Sequence, residues 1–190
     1  MPKLTMEIRE TGIRDLIILK PRIYRDSRGY LFVSYNEKEF RDAGLDLTFV
    51  QDNQSTSTFG VIRGLHYQLE PKAQTKLVRV LEGSIWDVAV DLRESSPTFR
   101  RWMGVELSAE NHLQLLIPKG FAHGFSVLSE TAVVFYKCDE LYAPDFQAGI
   151  RFDDPELGVD WKIAPGDRIL SERDVRLPLF RDAQMNFRYR

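Results

Sequence analysis

A chain of 190 residues that is 43% hydrophobic and 28% charged is long enough to bury one sizeable core. Its net charge of −2 and pI near 6.0 argue against a nucleic-acid-binding surface and leave room only for a local cationic cleft. Cys138 is the single cysteine, which excludes a disulfide framework and a thiolate zinc site, and no run approaches the roughly 20 apolar residues of a membrane span.

In chain order, residues 1–7 carry no apolar signal core, so a soluble, cytoplasmic protein is expected, with one domain over residues 1–190 and an extended C-terminal tail. Leu16-Ile17-Ile18-Leu19 reads as a buried strand closed by Lys20-Pro21, and a turn at Asp26-Ser27-Arg28-Gly29 leads into a second short strand, Tyr30-Leu31-Phe32-Val33. Residues 36–44 are polar apart from Phe40 and Ala43 on one side and end in Gly44, the pattern of one short helix. Thr48-Phe49-Val50-Gln51 is the next expected strand, and Asp52-Asn53-Gln54-Ser55-Thr56-Ser57 has turn chemistry.

The run Gly60-Val61-Ile62-Arg63-Gly64-Leu65-His66-Tyr67-Gln68 sets one of only three histidines among polar groups inside an apolar strand. A histidine so held is a candidate general base, because imidazole exchanges protons near neutral pH; the plainer reading is a structural histidine at a strand end. From Thr75 onward, period-2 alternation puts Lys76 on a face with Val78 and Val80. After a Glu82-Gly83 turn it puts Asp87 with Ile85 and Ala89. On the two arms of a hairpin, Lys76 and Asp87 either pair along a cavity, since lone charges there are costly, or lie near sheet edges and reach water. Further strands are expected at 113–117, 121–128 and 131–138, the last with Ala132, Val134 and Tyr136 on one face, so that the Tyr136 phenol is buried or lines a cavity. After Pro144 the chain turns irregular, and Ser171-Glu172-Arg173-Asp174 has the spacing of a helix-start box.

Many short strands separated by Gly, Pro, Asn and Ser point to an all-β sandwich or barrel, a jelly roll with few short helices. Pro118-Lys119-Gly120-Phe121-Ala122-His123 resembles the second motif of cupins. Metal-binding cupins pair that motif with an earlier H-x-H, where this chain reads His66-Tyr67-Gln68, so one ligand is missing and no metal is expected. A set of His66, His123 and a carboxylate is the alternative, with His112 in a different strand context.

Six blocks in order resemble the dTDP-4-dehydrorhamnose 3,5-epimerase family over about residues 16–180: Phe49-Val50-Gln51-Asp52-Asn53, Arg63-Gly64-Leu65-His66-Tyr67-Gln68, Ala73-Gln74-Thr75-Lys76-Leu77-Val78-Arg79, Asp87-Val88-Ala89-Val90-Asp91-Leu92-Arg93, Gly120-Phe121-Ala122-His123-Gly124-Phe125 and Leu170-Ser171-Glu172-Arg173-Asp174. The resemblance implies a cofactor-free cupin jelly roll, usually a homodimer, that inverts C3 and C5 of dTDP-4-dehydro-6-deoxy-D-glucose. It further implies His66 as base, Asp174 as the carboxylate that orients it, Lys76 beside the sugar O4 and Tyr136 as the acid on the opposite face. For the nucleotide diphosphate it implies Arg28, Gln51, Asn53, Arg63, His123 and Arg173, with Tyr142 stacking on the base. An epimerase acting at one carbon alone and a nucleotide-sugar-binding cupin without turnover are the alternatives.

Two expectations remain specific to this chain. Regular alternation sets Arg63 and His66 on opposite faces, so a shared site requires a bulge near Gly64. Val33 and Gln147 stand where the family usually has Glu, and Arg173 where Lys is more usual, so altered nucleotide specificity or weaker affinity is expected.

Overall fold

The alternation read along the chain builds two antiparallel sheets that face each other, and the computed structural model describes them over residues 6–189. The expectation for residues 1–5 lies outside the described residues. The strands are β1 Met6–Glu10, β2 Ile17–Pro21, β3 Tyr24–Asp26, β4 Gly29–Leu31, β5 Gln51–Thr58, β6 Ile62–Gln68, β7 Lys76–Glu82, β8 Ser84–Asp91, β9 Trp102–Ser108, β10 Gln114–Ile117, β11 Phe121–Val127, β12 Thr131–Cys138 and β13 Gln147–Gly149. Helix α1 spans Glu37–Asp42 and α2 spans Glu172–Val175. One sheet has the order β1-β2-β10-β7-β12-β5 and the other β13-β6-β11-β8-β9, while β3 and β4 form a separate exposed hairpin. This is the all-β jelly roll expected of a cupin, and no helix among the described residues is long and apolar enough to cross a membrane.

Between the sheets lie Val78 and Val80 of β7, Ile85 and Ala89 of β8, Leu115 and Ile117 of β10, Phe121 and Phe125 of β11, and Ala132 and Val134 of β12, with Tyr136 packed against them. On β7, β8 and β12 these are the faces that period 2 selected. The outer face of the second sheet is apolar too: Val88 and Val90 are covered by Trp161, Phe180 and Phe187 from the C-terminal segment. The tail after Pro144 is therefore irregular in backbone but packed into a core of its own. On the opposite side, α1 lays Phe40 over Leu19, Leu77 and Leu116. Its N-terminus is closed by the Asn36 side chain, which accepts from the Glu39 N–H at 3.2 Å, a contact of about 1 kcal/mol. The C-cap is Ala43, with Gly44 following at φ +83.

Two expectations are corrected. Residues 48–50 are not strand, and 52–57 are not a turn: they form β5, an edge strand paired along its length with β12 from Gln51↔Cys138 to Thr58↔Thr131. Its polarity has a simple origin, because Gln51, Asn53, Ser55 and Ser57 alternate inward while the residues between them face solvent. The expected β7–β8 hairpin does not form either. At Gly83 the chain leaves one sheet and enters the other, so Lys76 and Asp87 come from facing sheets. Only glycine fits that corner, since at φ +72 a Cβ would meet the Thr131 carbonyl and the Ser129 hydroxyl.

A buried ion-pair network ties the tail to the first strands. Arg93 donates to Asp91 (Nε–Oδ1 2.9 Å) and Asp15 (2.7 Å) and lies over the Tyr189 ring. Asp91 also accepts from the hydroxyls of Ser96 and Thr98 at 2.6 and 2.7 Å. Burial works to raise the Asp91 pKa, but these bonds bring it below the usual carboxylate range. Such a network adds little over an apolar filling, yet stranding one partner costs roughly 3–5 kcal/mol, so it holds the tail in a single arrangement.

Candidate active site

Strand register brings together two patches that face each other across one end of the sandwich, to which α2 and the Tyr142 loop add the rest of the site. On one sheet the transverse rows are Lys76–Cys138–Gln51 and Val78–Tyr136–Asn53, across β7, β12 and β5. On the other they are His66–His123–Ala89 and Arg63–Phe125–Asp87, across β6, β11 and β8. The pairing steps from His123↔His66 to Phe125↔Arg63, two residues on β11 against three on β6, which is the bulge that a shared site required. Gly64 sits in it at φ +137, where a Cβ would lie 2.5 Å from the Gly124 Cα. Arg63 and His66 consequently line the same cleft.

The cleft has two lobes that meet at His66, Lys76 and Tyr136. One, of about 500 Å³, holds Arg63, His123, Arg173 and Asp174. The other, of about 340 Å³, holds Gln51, Asn53, Tyr142 and Gln147. Ten of the eleven site residues expected from sequence thus border one continuous space. Arg28 does not: its side chain is 88% exposed at the β3–β4 turn and pairs with Asp26 at 2.6 Å. Val33 is likewise exposed and outside both lobes.

At the junction, His66 Nε2 lies 2.6 Å from Asp174 Oδ1. Asp174 is buried on α2, whose N-cap Ser171 accepts from the Asp174 N–H at 3.1 Å. The helix-start box is therefore real, but its fourth residue sends its carboxylate to the imidazole instead of back to the cap. Burial works to raise the Asp174 pKa, yet the hydrogen bond and charge of His66, with further bonds from Ser171 and the Gly64 backbone, hold it below the usual carboxylate range. It is an anion at neutral pH. With Nε2 committed to that anion, Nδ1 is the ring nitrogen left to take a proton. Tyr136 is pushed up by burial and by the neighbouring Cys138, against a smaller opposing effect of Arg63, so it keeps its phenolic proton.

His123 forms a second histidine–carboxylate pair, with Asp87, at 2.7 Å. His112 takes no part, being packed against the rings of Tyr30 and Phe32. Among the described residues no group of three His, Cys, Asp or Glu is arranged to hold a metal ion. In the smaller lobe, carboxamides fix the wall: Gln51 donates to Asn53 at 3.0 Å and accepts from the Tyr142 N–H at 2.8 Å. The Tyr142 hydroxyl donates to Gln147 Oε1 at 2.6 Å. Gln68 donates to the Lys72 carbonyl and accepts from the Ala143 N–H, at 2.6 and 2.8 Å, anchoring the Tyr142 loop. Sequence reasoning missed Gln68, Gln74 and Ser55, which line the lobes, and Ser57, whose hydroxyl accepts from Arg63 Nε at 3.0 Å. The period-2 run of carboxamides and hydroxyls along β5 was the signal for the two serines, hidden by reading that stretch as a turn.

The jelly roll and its cleft, with a carboxylate-held histidine, a lysine and a protonated phenol converging on one point, define a protein equipped to move protons to and from carbon beside a carbonyl. Comparison with known proteins narrows this class. Residues 10–182 match the model of the dTDP-4-dehydrorhamnose 3,5-epimerase family. The dTDP-4-dehydrorhamnose 3,5-epimerase of Methanothermobacter thermautotrophicus is 51% identical over 166 residues, 87% of this chain and 89% of that one. Among solved structures, the Elizabethkingia anophelis dTDP-4-dehydrorhamnose 3,5-epimerase superposes with a TM-score of 0.91 at 52% identity, covering 94% of this chain and 98% of that one. The Legionella pneumophila dTDP-6-deoxy-D-glucose-3,5-epimerase, solved in complex with dTDP-4-keto-L-rhamnose, superposes with a TM-score of 0.93 at 45% identity, covering 97% and 99%. The chain belongs to the dTDP-4-dehydrorhamnose 3,5-epimerase family.

Proposed function

We propose that this protein inverts C3 and C5 of dTDP-4-dehydro-6-deoxy-D-glucose to give dTDP-4-dehydro-L-rhamnose, with His66 as the base. The observation that carries the reading is the His66–Asp174 pair at 2.6 Å, opening onto a cleft whose wall is shared with Lys76 and Tyr136. The protons on C3 and C5 are both α to the C4 carbonyl. His66 takes one, the C–H electron pair moves into the ring, and the charge settles on O4 as an enolate. Asp174 stabilises the imidazolium that results. Lys76 offers a fixed cation to O4, favouring the transition state over the neutral ketone. Tyr136, from the facing sheet, gives its proton to carbon on the opposite face, and the carbonyl re-forms with inverted configuration. Arg63, His123 and Arg173 supply cationic and hydrogen-bonding groups for the diphosphate, where a guanidinium fork matches paired phosphate oxygens. Gln51, Asn53 and Tyr142 serve the nucleoside. The test is proton NMR of the substrate in deuterated water: both C3 and C5 should exchange, whereas exchange at a single carbon would make the protein a mono-epimerase.

Nucleotide discrimination should be weaker than the family's Glu residues would provide. Gln147 offers a neutral amide, whose oxygen already accepts one bond from the Tyr142 hydroxyl, in place of a charged acceptor, and Val33, outside this chain's cleft, has no side-chain acceptor. Calorimetric titration with dTDP, UDP, GDP and CDP is expected to show a shallow ranking, and a strong preference for dTDP would refute this.

The active unit is a homodimer on this reading. Arg28 stands outside its own chain's cleft, on a hairpin that exposes Tyr30 and Leu31 at 54% and 67%, and a second copy gives these residues a surface to cover and Arg28 a diphosphate to reach. Light scattering on the purified protein should return twice the chain mass of 22.1 kDa; a monomer would rule the arrangement out.

A further inference from the structure

Asp87 is fully buried on β8, behind the wall of the cleft. Its Oδ1 is 2.7 Å from His123 Nε2, a diagonal contact between neighbouring strands, since its register partner on β11 is Phe125. Its Oδ2 is also buried and has no hydrogen-bond partner among the described residues. A buried acceptor left unpaired in this way calls for an electrostatic reason. Lys76, from β7 on the facing sheet, supplies one. Burial lowers the Lys76 pKa, and two groups work against that, Cys138 and Asp87. Burial pushes the Cys138 thiol up to about 11, so at neutral pH it carries no charge. The other carboxylates near Cys138 are engaged elsewhere, Asp52 with Lys137 and Asp139 with Lys119. Asp174 is held by His66, the Tyr136, Gln51 and Asn53 side chains are neutral, and the other charged groups of the cleft wall, Arg63 and Arg173, are cations that disfavour a further positive charge, which leaves Asp87 as the anion not already paired.

We propose that Asp87 is a positioning residue for the reaction: through one oxygen it fixes the ring of His123, and as the counter-charge across the sandwich it keeps the Lys76 ammonium charged beside the substrate. The inference rests on the reading of Lys76 as the cation for O4. It also gives the buried carboxylate a reason to exist, because a hydrogen bond to His123 alone would be met equally well by a neutral amide.

Asp87→Asn separates the two roles, since the amide oxygen still accepts from His123 while the charge is gone. Removing an anion near Lys76 favours the neutral amine. The alkaline limb of the kcat/KM profile should therefore move to lower pH, by about 1 unit, the low end for loss of an opposite charge because the two groups make no direct ion pair. At neutral pH kcat should fall roughly 10–100-fold, with KM changing less, as expected when a group acts on the transition state. A second readout needs no substrate: in protein labelled with 13C-lysine, the Lys76 Cε signal, assigned by its loss in Lys76→Met, should titrate at lower pH in Asp87→Asn than in the parent. Should Asp87→Asn fail to fold, Asp87→Ser removes the same charge in less volume and carries the same two readouts. Parent-like Lys76 titration and an unshifted profile, with turnover of the 4-keto sugar intact, would overturn the role of Asp87. No turnover by the parent itself would overturn the epimerase reading instead, and the substrate-free titration would still report on the charge coupling.

Discussion

His66→Ala is expected to stop exchange at both C3 and C5 in deuterated water, with turnover down by about 10²–10⁴-fold or more, the range a positioned general base contributes. The imidazole is held at 2.6 Å by a buried carboxylate that is itself held by a helix cap, so its orientation is set before substrate arrives. No other histidine in the described chain is placed to substitute: His123 is buried against Asp87 and opens less to the cleft than His66, and His112 is packed among aromatic rings outside it. Loss at one carbon only would mean that a second base serves the other, and full exchange in the variant would remove His66 from the mechanism. Because His66 lines an open cleft with a side chain 27% exposed, the alanine variant should fold, which unfolding curves would verify.

Tyr136→Phe is expected to separate exchange from inversion. Phenylalanine keeps the ring that packs against the core and removes only the hydroxyl. His66 still abstracts protons and returns deuterium to the same face, so solvent label enters C3 and C5, while formation of the inverted product drops by about 10²–10³-fold for want of an acid on the far side. The burial that raises the Tyr136 pKa keeps the phenol protonated through neutral pH, so in the parent this step should weaken only in alkali. Equal loss of exchange and of inversion would sink the assignment, since it would place Tyr136 in the abstraction step. Together the two variants give the base and the acid distinct signatures in one NMR experiment.

The two catalytic strands were legible for a physical reason. β7 and β12 are antiparallel neighbours whose inward residues alternate strictly with those under α1 and at the surface, so period 2 reports which side chains share the interior, and it put Lys76 and Tyr136 on that face. The short helix over 37–42 was legible from its cap and its single buried Phe40. β5 was not, because strand rules look for an apolar inward face and the inward face of β5 is the polar wall of a binding cleft. The tail was legible only as irregular: its turns gave no sign of whether it packs, and Trp161, Phe180 and Phe187 complete a second core. Arg28 was placed in the site by motif likeness, and it lies exposed outside this chain's cleft.

By itself, then, the sequence determined what depends on neighbours along a strand and on local chemistry: the all-β class, the inward faces, the helix caps, and the six blocks that mark the family. The tertiary structure decided everything that depends on contacts distant in the chain. It turned the Gly83 corner into a passage between sheets, put Lys76 and Asp87 on facing sheets, gave His123 its carboxylate, and carried Asp174 over 108 positions to within a hydrogen bond of His66. Such pairings arise from strand register and sheet packing, which are cooperative properties of the whole fold, and no local pattern encodes them.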